Sequence, residues 1–216
     1  MQTKVCKLCF KPIDDNSINS LLNNTYSLCF ECYKKLEPHF INFEVDGYYA
    51  LAVYEYDDEL KSLIYQFKGC YDFELKDIFL DRFKTAFKLY FYDYVAVPVP
   101  SFIDDDKVRE FNHVKEAFSN LKIPMLSIIE KVKRVKQSDR HAEERKNIGE
   151  YLKLNSNDSL KGKKILLVDD IYTTGSTIKA CLKLIKQLNP KKIKILVLCK
   201  VTSVEHIGKS NNNKLY

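Results

Sequence analysis

The chain has 216 residues, 45% of them hydrophobic and 30% charged. It is long enough for one good-sized α/β core with a small appended module, and no apolar run approaches the roughly twenty residues of a membrane-spanning helix. The net charge of +6 is uneven: residues 1–130 carry 15 basic and 21 acidic side chains, residues 131–216 carry 20 and 8. A basic carboxyl-terminal third suits a polyphosphate ligand, a nucleic-acid backbone or both, although solvated lysine-rich helix faces give the same balance.

The amino terminus reads MQTKVCKLC, with no apolar stretch ahead of its cysteines, so no secretory signal is expected and a cytoplasmic location is. Cys6 and Cys9 form one CxxC pair, and Cys29 and Cys32 form another after nineteen residues. Two residues between cysteines place both sulfurs on one tight knuckle. Two knuckles complete a closed tetrahedral thiolate site, so a structural zinc ribbon is expected over residues 1–40, with turns at Lys11-Pro12 and Asn16 to Thr25. A redox CxxC needs a thioredoxin-like βαβ context and a disulfide framework needs an oxidising compartment; nothing here signals either. Cys70, Cys181 and Cys199 are too widely spaced for a second cluster and read as buried thiols.

Residues 41–216 read as one α/β domain. Phe43 to Tyr56 suggests one or two strands. Asp58 to Phe67 and Phe73 to Leu89 have apolar residues at helical spacing, on either side of a loop YQFKGCYD. Tyr94 to Val99 is a buried-strand candidate, His113 to Leu121 a helix, Met125 to Ile129 a short strand, and Glu143 to Asn147 part of a basic segment. Lys164 to Val168, Ile178 to Leu188 and Ile193 to Cys199 read as strand, helix, strand. Alternation of this kind implies a parallel sheet flanked by helices. The closing SNNNKLY reads as a polar tail.

The most informative stretch is ILLVDDIYTTGST, Ile165 to Thr177. Its apolar run suits a strand buried on both faces, and such strands present ligands at their carboxyl ends. Asp169 and Asp170 stand there, able to accept from vicinal hydroxyls or to hold a hydrated cation at one remove. Thr173, Thr174, Gly175, Ser176 and Thr177 then lead into a helix, where backbone N–H groups and hydroxyls make an anion cradle that Gly175 lets a phosphate approach. An ordinary acidic N-cap needs one such residue, whereas six of the nine positions from Asp169 to Thr177 are Asp, Ser or Thr. The pattern fits a phosphorylated ribose.

This segment resembles the phosphoribosyl pyrophosphate motif of the type I phosphoribosyltransferases. The four-cysteine ribbon, YEYDDELKSLIYQFKGCYD, VAVPVPS, REFNH, KQSDRHAEERKNIGEY and VDDIYTTGST, in that order, are similar to the ComF family of zinc-ribbon, phosphoribosyltransferase-like proteins linked to natural competence. The resemblance implies that Asp169 and Asp170 take the ribose hydroxyls, that Thr173 to Thr177 enclose the 5′ phosphate, and that Val99, Pro100 and Ser101 with Arg109 receive the pyrophosphate. A flexible loop over residues 131–147 would close with Lys136, Gln137 and Arg145, although Arg145 beside Glu143 and Glu144 equally suits a helix-surface cation. Lys68 and Tyr71 lie in another matching loop. REFNH departs from the family's usual RGFNQ at Glu110 and His113.

The resemblance further implies structural zinc, magnesium with phosphoribosyl pyrophosphate, and single-stranded DNA as a partner, for which charge makes Lys131 to Lys146 or the lysine-rich carboxyl-terminal face the candidate contact. It also implies a helicase-like DNA-uptake motor as a protein partner, at the inner face of the membrane. The alternative is an active transferase that displaces pyrophosphate with an amine or nitrogenous base. Purine salvage fits less well, because Tyr172 or Thr173 stands where those enzymes often carry another acid.

Overall fold

The computed structural model describes residues 4–13, 27–101, 103–132, 151–155 and 159–202. Lys136, Gln137, Arg145, the segments Asn16 to Thr25 and Glu143 to Asn147, and the closing tail lie outside them.

A mixed five-stranded sheet organises the domain in the order β1, β2, β7, β6, β3: β1 (Ile41–Val45), β2 (Tyr48–Glu55), β3 (Tyr94–Pro98), β6 (Lys164–Tyr172) and β7 (Lys192–Lys200). Only the β1–β2 pair is antiparallel; β2, β7, β6 and β3 run parallel. Beside it, β4 (Ile129–Lys131) and β5 (Leu152–Leu154) form a small antiparallel pair. Among the described residues the α-helices are α1 (Phe30–Lys35), α2 (Asp58–Gly69), α3 (Lys84–Tyr90), α4 (Ile103–Arg109), α5 (His113–Ser119) and α6 (Ser176–Lys186).

Strand alternation divides β6 between two cores. Leu166 and Val168 join Leu60, Ile64 and Phe67 of α2 and Val114 and Phe118 of α5, whereas Ile165 and Leu167 join Ile178, Cys181, Leu182 and Ile185 of α6. This explains the unbroken apolar run, since both faces are covered. Leu60, Leu63, Ile64 and Phe67 form one stripe of α2. Burying each such side chain stabilises the fold by roughly 1.5–3 kcal/mol. The helix begins where the Asp57 carboxylate accepts the Leu60 N–H at 2.7 Å, an N-cap arrangement.

The expected helix over Phe73 to Leu89 breaks into two 3₁₀ turns, Phe73–Asp77 and Asp81–Phe83, followed by α3. Ile78, Phe79 and Leu80 are all fully buried in succession, which one side of a straight surface helix does not permit. The short strand expected over Met125 to Ile129 is reduced to a bridge between Met125 and Ala96, with strand pairing resuming only at Ile129. Cys181 and Cys199 are buried as expected, but Cys70 is exposed because α2 ends there and the chain turns through Tyr71 at φ 63°.

Residues around the four cysteines share a core with this domain. Leu28, Cys32, Tyr33 and Leu36 pack in the same cluster as Phe79 and Leu80. Lys7 Nζ pairs with Asp77 at 3.0 Å and Glu74 at 3.2 Å. The buried Asp81 accepts from both the N–H and the hydroxyl of Ser27, at 3.0 and 3.1 Å, and pairs with Lys84.

Candidate functional site

The carboxyl ends of β6 and β3 carry the polar groups anticipated from sequence. Strand geometry persists through Tyr172, so Asp169 and Asp170 point to opposite faces of the sheet. Asp170 follows Leu166 and Val168 toward α2 and α5. There its Oδ2 meets Lys68 Nζ at 2.6 Å and His113 Nε2 at 3.3 Å, while Oδ1 accepts the Ile171 N–H at 2.7 Å. Asp169 follows Ile165 and Leu167 to the α6 side, largely but not fully buried, and accepts the Asp170 N–H at 2.9 Å.

Their electrostatics diverge accordingly. Burial raises the Asp170 pKa, but the Lys68 charge and the His113 contact outweigh it and hold the carboxyl well below the usual carboxylate range. Burial and the adjacent Asp170 charge push Asp169 upward, opposed by the Asp170 N–H, Lys68 and Lys131. Burial would lower the Lys68 pKa, yet Asp170 holds it above the ordinary lysine value.

The segment beyond β3 is tied into the same group. Val99 donates its N–H to the Val168 carbonyl at 2.9 Å and Pro100 has no N–H to give, so Ser101 and the opening of α4 are what this loop offers an anion. The Ser101 hydroxyl donates to Asp106 at 2.6 Å, and Asn112 Nδ2 donates to both Ser101 Oγ and Asp106 Oδ2 at 2.8 Å. Arg109 donates through Nε to the Lys68 carbonyl at 2.9 Å and through Nη1 to Asp106 at 3.2 Å, and Nη1 stands 3.0 Å from His113 Nδ1. Glu110, exposed, adopts φ 65°, which accounts for a glycine being suited to this position. Sequence reasoning missed Asp106, and α4 with it. Asn112 had a readable signal: its side chain caps α5 by accepting the Lys115 N–H at 2.9 Å.

The hydroxyl-rich loop lies at the start of α6. Thr173 and Thr174 are exposed, and Ser176 and Thr177 half-buried. Gly175 is the N-cap at φ 73°, with no side-chain cap on the helix. A Cβ on Gly175 would lie 2.5 Å from the Tyr172 hydroxyl, so no other residue fits without moving that ring. The uncapped first-turn N–H groups, with hydroxyls on either side, form an anion-binding arrangement. An open groove of about 510 Å³ adjoins Lys68, lined also by Tyr56, Lys61, Tyr65 and Ile171.

The four cysteine sulfurs lie within 4.8 Å of one another, and those of Cys9 and Cys29 are 3.7 Å apart. Four thiolates at about 2.3 Å from a tetrahedral zinc would stand about 3.8 Å apart, so the donor set fits zinc. Cys29 caps α1 and Cys32 lies within it. Burial raises the Cys6 pKa, but the N–H groups of Cys29, Cys9 and Leu8 more than offset this and bring the thiol to about 7. Bound zinc would hold the two knuckles together without an open coordination position.

A family model described as "Phosphoribosyl transferase domain" matches residues 112–208. Competence protein ComFC of Bacillus subtilis (strain 168) is 31% identical over 129 residues, 59% of this chain and 53% of that protein. Competence protein ComFC of Streptococcus pneumoniae (strain ATCC BAA-255 / R6) is 30% identical over 147 residues, 68% of this chain and 66% of that protein. The chain belongs to the ComF-like proteins, with a phosphoribosyltransferase-like domain. It spans about half the length of the first relative and 66% of the second. A crystal structure of a hypoxanthine phosphoribosyltransferase from Staphylococcus aureus aligns with a TM-score of 0.38 and 12% identity, covering 58% of this chain and 72% of that one. Among the described residues, no helix is long and apolar enough to cross a membrane.

Proposed function

We propose that this ComF-like chain binds magnesium phosphoribosyl pyrophosphate at the carboxyl edge of β6 and β3 and acts in DNA uptake during natural transformation. The observation that carries the pocket is the junction of β6 and α6: Asp169 and Asp170 end the strand, and Gly175 opens a helix without a side-chain cap. Asp169 and Asp170 take the ribose hydroxyls, Thr173 to Thr177 the 5′ phosphate, and Ser101 with Arg109 the pyrophosphate, with Val99 and Pro100 shaping the turn. Lys136, Gln137 and Arg145, outside the described residues, are assigned to this ligand by the family resemblance alone. Asp170 already uses both oxygens within the protein, which favours magnesium arriving with the pyrophosphate over a metal held directly by this carboxylate. Residues 1–40 form the zinc module and 41–216 the transferase-like domain.

The association with competence follows from the names of the two relatives. Single-stranded DNA is supported by a separate surface at the amino-terminal end of the sheet. There, Lys194 Nζ lies 5.4 and 4.0 Å from the ring centroids of Tyr49 and Tyr90, which are 40% and 53% exposed, and Tyr92 is 77% exposed. Cations interleaved with aromatic faces are what a strand of stacked bases requires. On this reading the chain works in the cytoplasm beside a helicase-like uptake motor, at the inner face of the membrane.

The alternative reading is an active transferase: a nitrogen nucleophile displaces pyrophosphate from the anomeric carbon, and the protein positions groups and neutralises the departing charge. The groove beside Lys68 supports it by leaving room for an acceptor. Equilibrium dialysis with labelled phosphoribosyl pyrophosphate, with and without magnesium, tests the pocket. Pyrophosphate release with a panel of amines and bases then separates binder from transferase. Absence of magnesium-dependent retention would overturn both readings of the pocket.

A further inference from the structure

We infer that His113 is a positioning residue for Asp170, acting through the polarity of its ring, with Nδ1 accepting from Arg109 and Nε2 carrying the proton that faces Asp170. This rests on the proposed role of Asp170 in holding the ribose.

The argument begins with Arg109, whose guanidinium can only donate. Its Nη1 stands 3.0 Å from His113 Nδ1, so Nδ1 must be the bare, accepting nitrogen. The ring proton then sits on Nε2, which lies 3.3 Å from Asp170 Oδ2. The opposite tautomer would set two N–H groups against each other at Arg109 and a lone pair against a carboxylate at Asp170. Neither end of the ring is open to solvent adjustment, because the His113 side chain is only 12% exposed and that of Arg109 only 11%.

Arg109 is itself fixed from two sides, by the Lys68 carbonyl and by Asp106. Asp106 also receives the Ser101 hydroxyl and Asn112. His113 therefore links the Ser101–Arg109 segment to the acid at the end of β6, and Lys68 joins both ends, its carbonyl on Arg109 and its ammonium on Asp170. A group entering near Ser101 or Arg109 and one entering at Asp170 meet the same network. The chemistry needed at position 113 is an acceptor and a donor back to back, which a glutamine amide also supplies, with its oxygen toward Arg109 and its nitrogen toward Asp170. Leucine supplies neither. A histidine in REFNH thus preserves the polarity that a glutamine would bring.

The test uses the full-length, zinc-loaded protein. A long-range proton–nitrogen spectrum of the imidazole rings near neutral pH, with the His113 signals identified by their absence in H113Q, reads the tautomer directly. The expected result is a protonated Nε2 and a bare Nδ1; the other tautomer, or a ring protonated at both nitrogens, overturns the proposal. Titration of magnesium phosphoribosyl pyrophosphate supplies the second readout. H113L should bind roughly tenfold more weakly, as expected for a lost hydrogen bond to a charged group, and H113Q should recover most of that loss. H113L binding as wild type does, or H113Q binding as poorly as H113L, also overturns it. Failure of the wild type to bind would count against the pocket, while the ring spectrum would still decide the tautomer.

Discussion

Lys68 Nζ lies 2.6 Å from Asp170 Oδ2, a pair joined across 102 positions of sequence. It connects the last turn of α2 to the end of β6 and gives neighbouring acids opposite roles. Asp170 is held low by the Lys68 charge and the His113 contact against its burial. In the unfolded chain an aspartate titrates at about 3.9, so the stabilisation from Asp170 is fully present above that pH. It is lost as pH falls toward the lower folded value. Asp169, raised by burial and by the Asp170 charge, opposes folding increasingly as pH climbs above about 4. Asp170→Asn should therefore cost about 2 kcal/mol at neutral pH, by depriving Lys68 of its partner. Asp169→Asn should be neutral or stabilising. Urea melts from acid to neutral pH check this, and equal losses in the two variants would contradict the split.

Gly175 is constrained twice, by φ 73° and by the Tyr172 ring above it. Gly175→Ala should destabilise the fold by about 1–2 kcal/mol from the left-handed backbone alone. It should also displace Tyr172, which packs 4.7 Å from the Phe43 ring centroid. Weaker binding of ribose 5-phosphate should accompany the loss. A variant with wild-type stability and wild-type affinity would show that the loop tolerates a side chain.

Asp81 is 5% exposed and holds the backbone and hydroxyl of Ser27 beside the cysteine knuckles. Asp81→Ala should cost about 2 kcal/mol, since it leaves the half-buried N–H and hydroxyl of Ser27 without their charged acceptor. Zinc should pass to a chelator faster from this variant, and full chelation of the wild type should lower its melting temperature because the cysteine region shares the core of Phe79 and Leu80. Unchanged zinc release would mean that Asp81 does not brace the knuckles.

Glu110 adopts φ 65° while exposed. Left-handed backbone costs a non-glycine residue about 1–2 kcal/mol, and a glycine gives back roughly 0.5–1 kcal/mol through its freer unfolded chain. Glu110→Gly should therefore stabilise the protein by about 0.5 kcal/mol, read as a higher denaturant midpoint. A lower midpoint would mean that the glutamate contributes more than its strained backbone takes away.

The parts legible in the sequence are those whose signal is local. Two CxxC pairs state their chemistry in their spacing, and the sulfurs do converge. The apolar run before Asp169 announced a doubly covered strand, and Leu166 and Leu167 indeed enter different cores. What the run could not say is that strand geometry continues to Tyr172, and it is this continuation that places Asp169 and Asp170 on opposite faces. Residues 73–89 have helical apolar spacing, but spacing does not register the tertiary pull on Asp81 or the burial of Ile78, Phe79 and Leu80 in succession. The network from Ser101 through Asp106, Arg109 and His113 to Lys68 depends on contacts across elements. No spacing rule records such contacts.

The most direct test of the pocket is a calorimetric titration of magnesium phosphoribosyl pyrophosphate into the zinc-loaded protein, repeated with Asp169→Asn and Asp170→Asn combined. The account predicts saturable binding to the wild type and its loss in the double variant. Absence of binding to the wild type, or binding that survives in the double variant, would contradict the assignment of the β6 acids to the ribose.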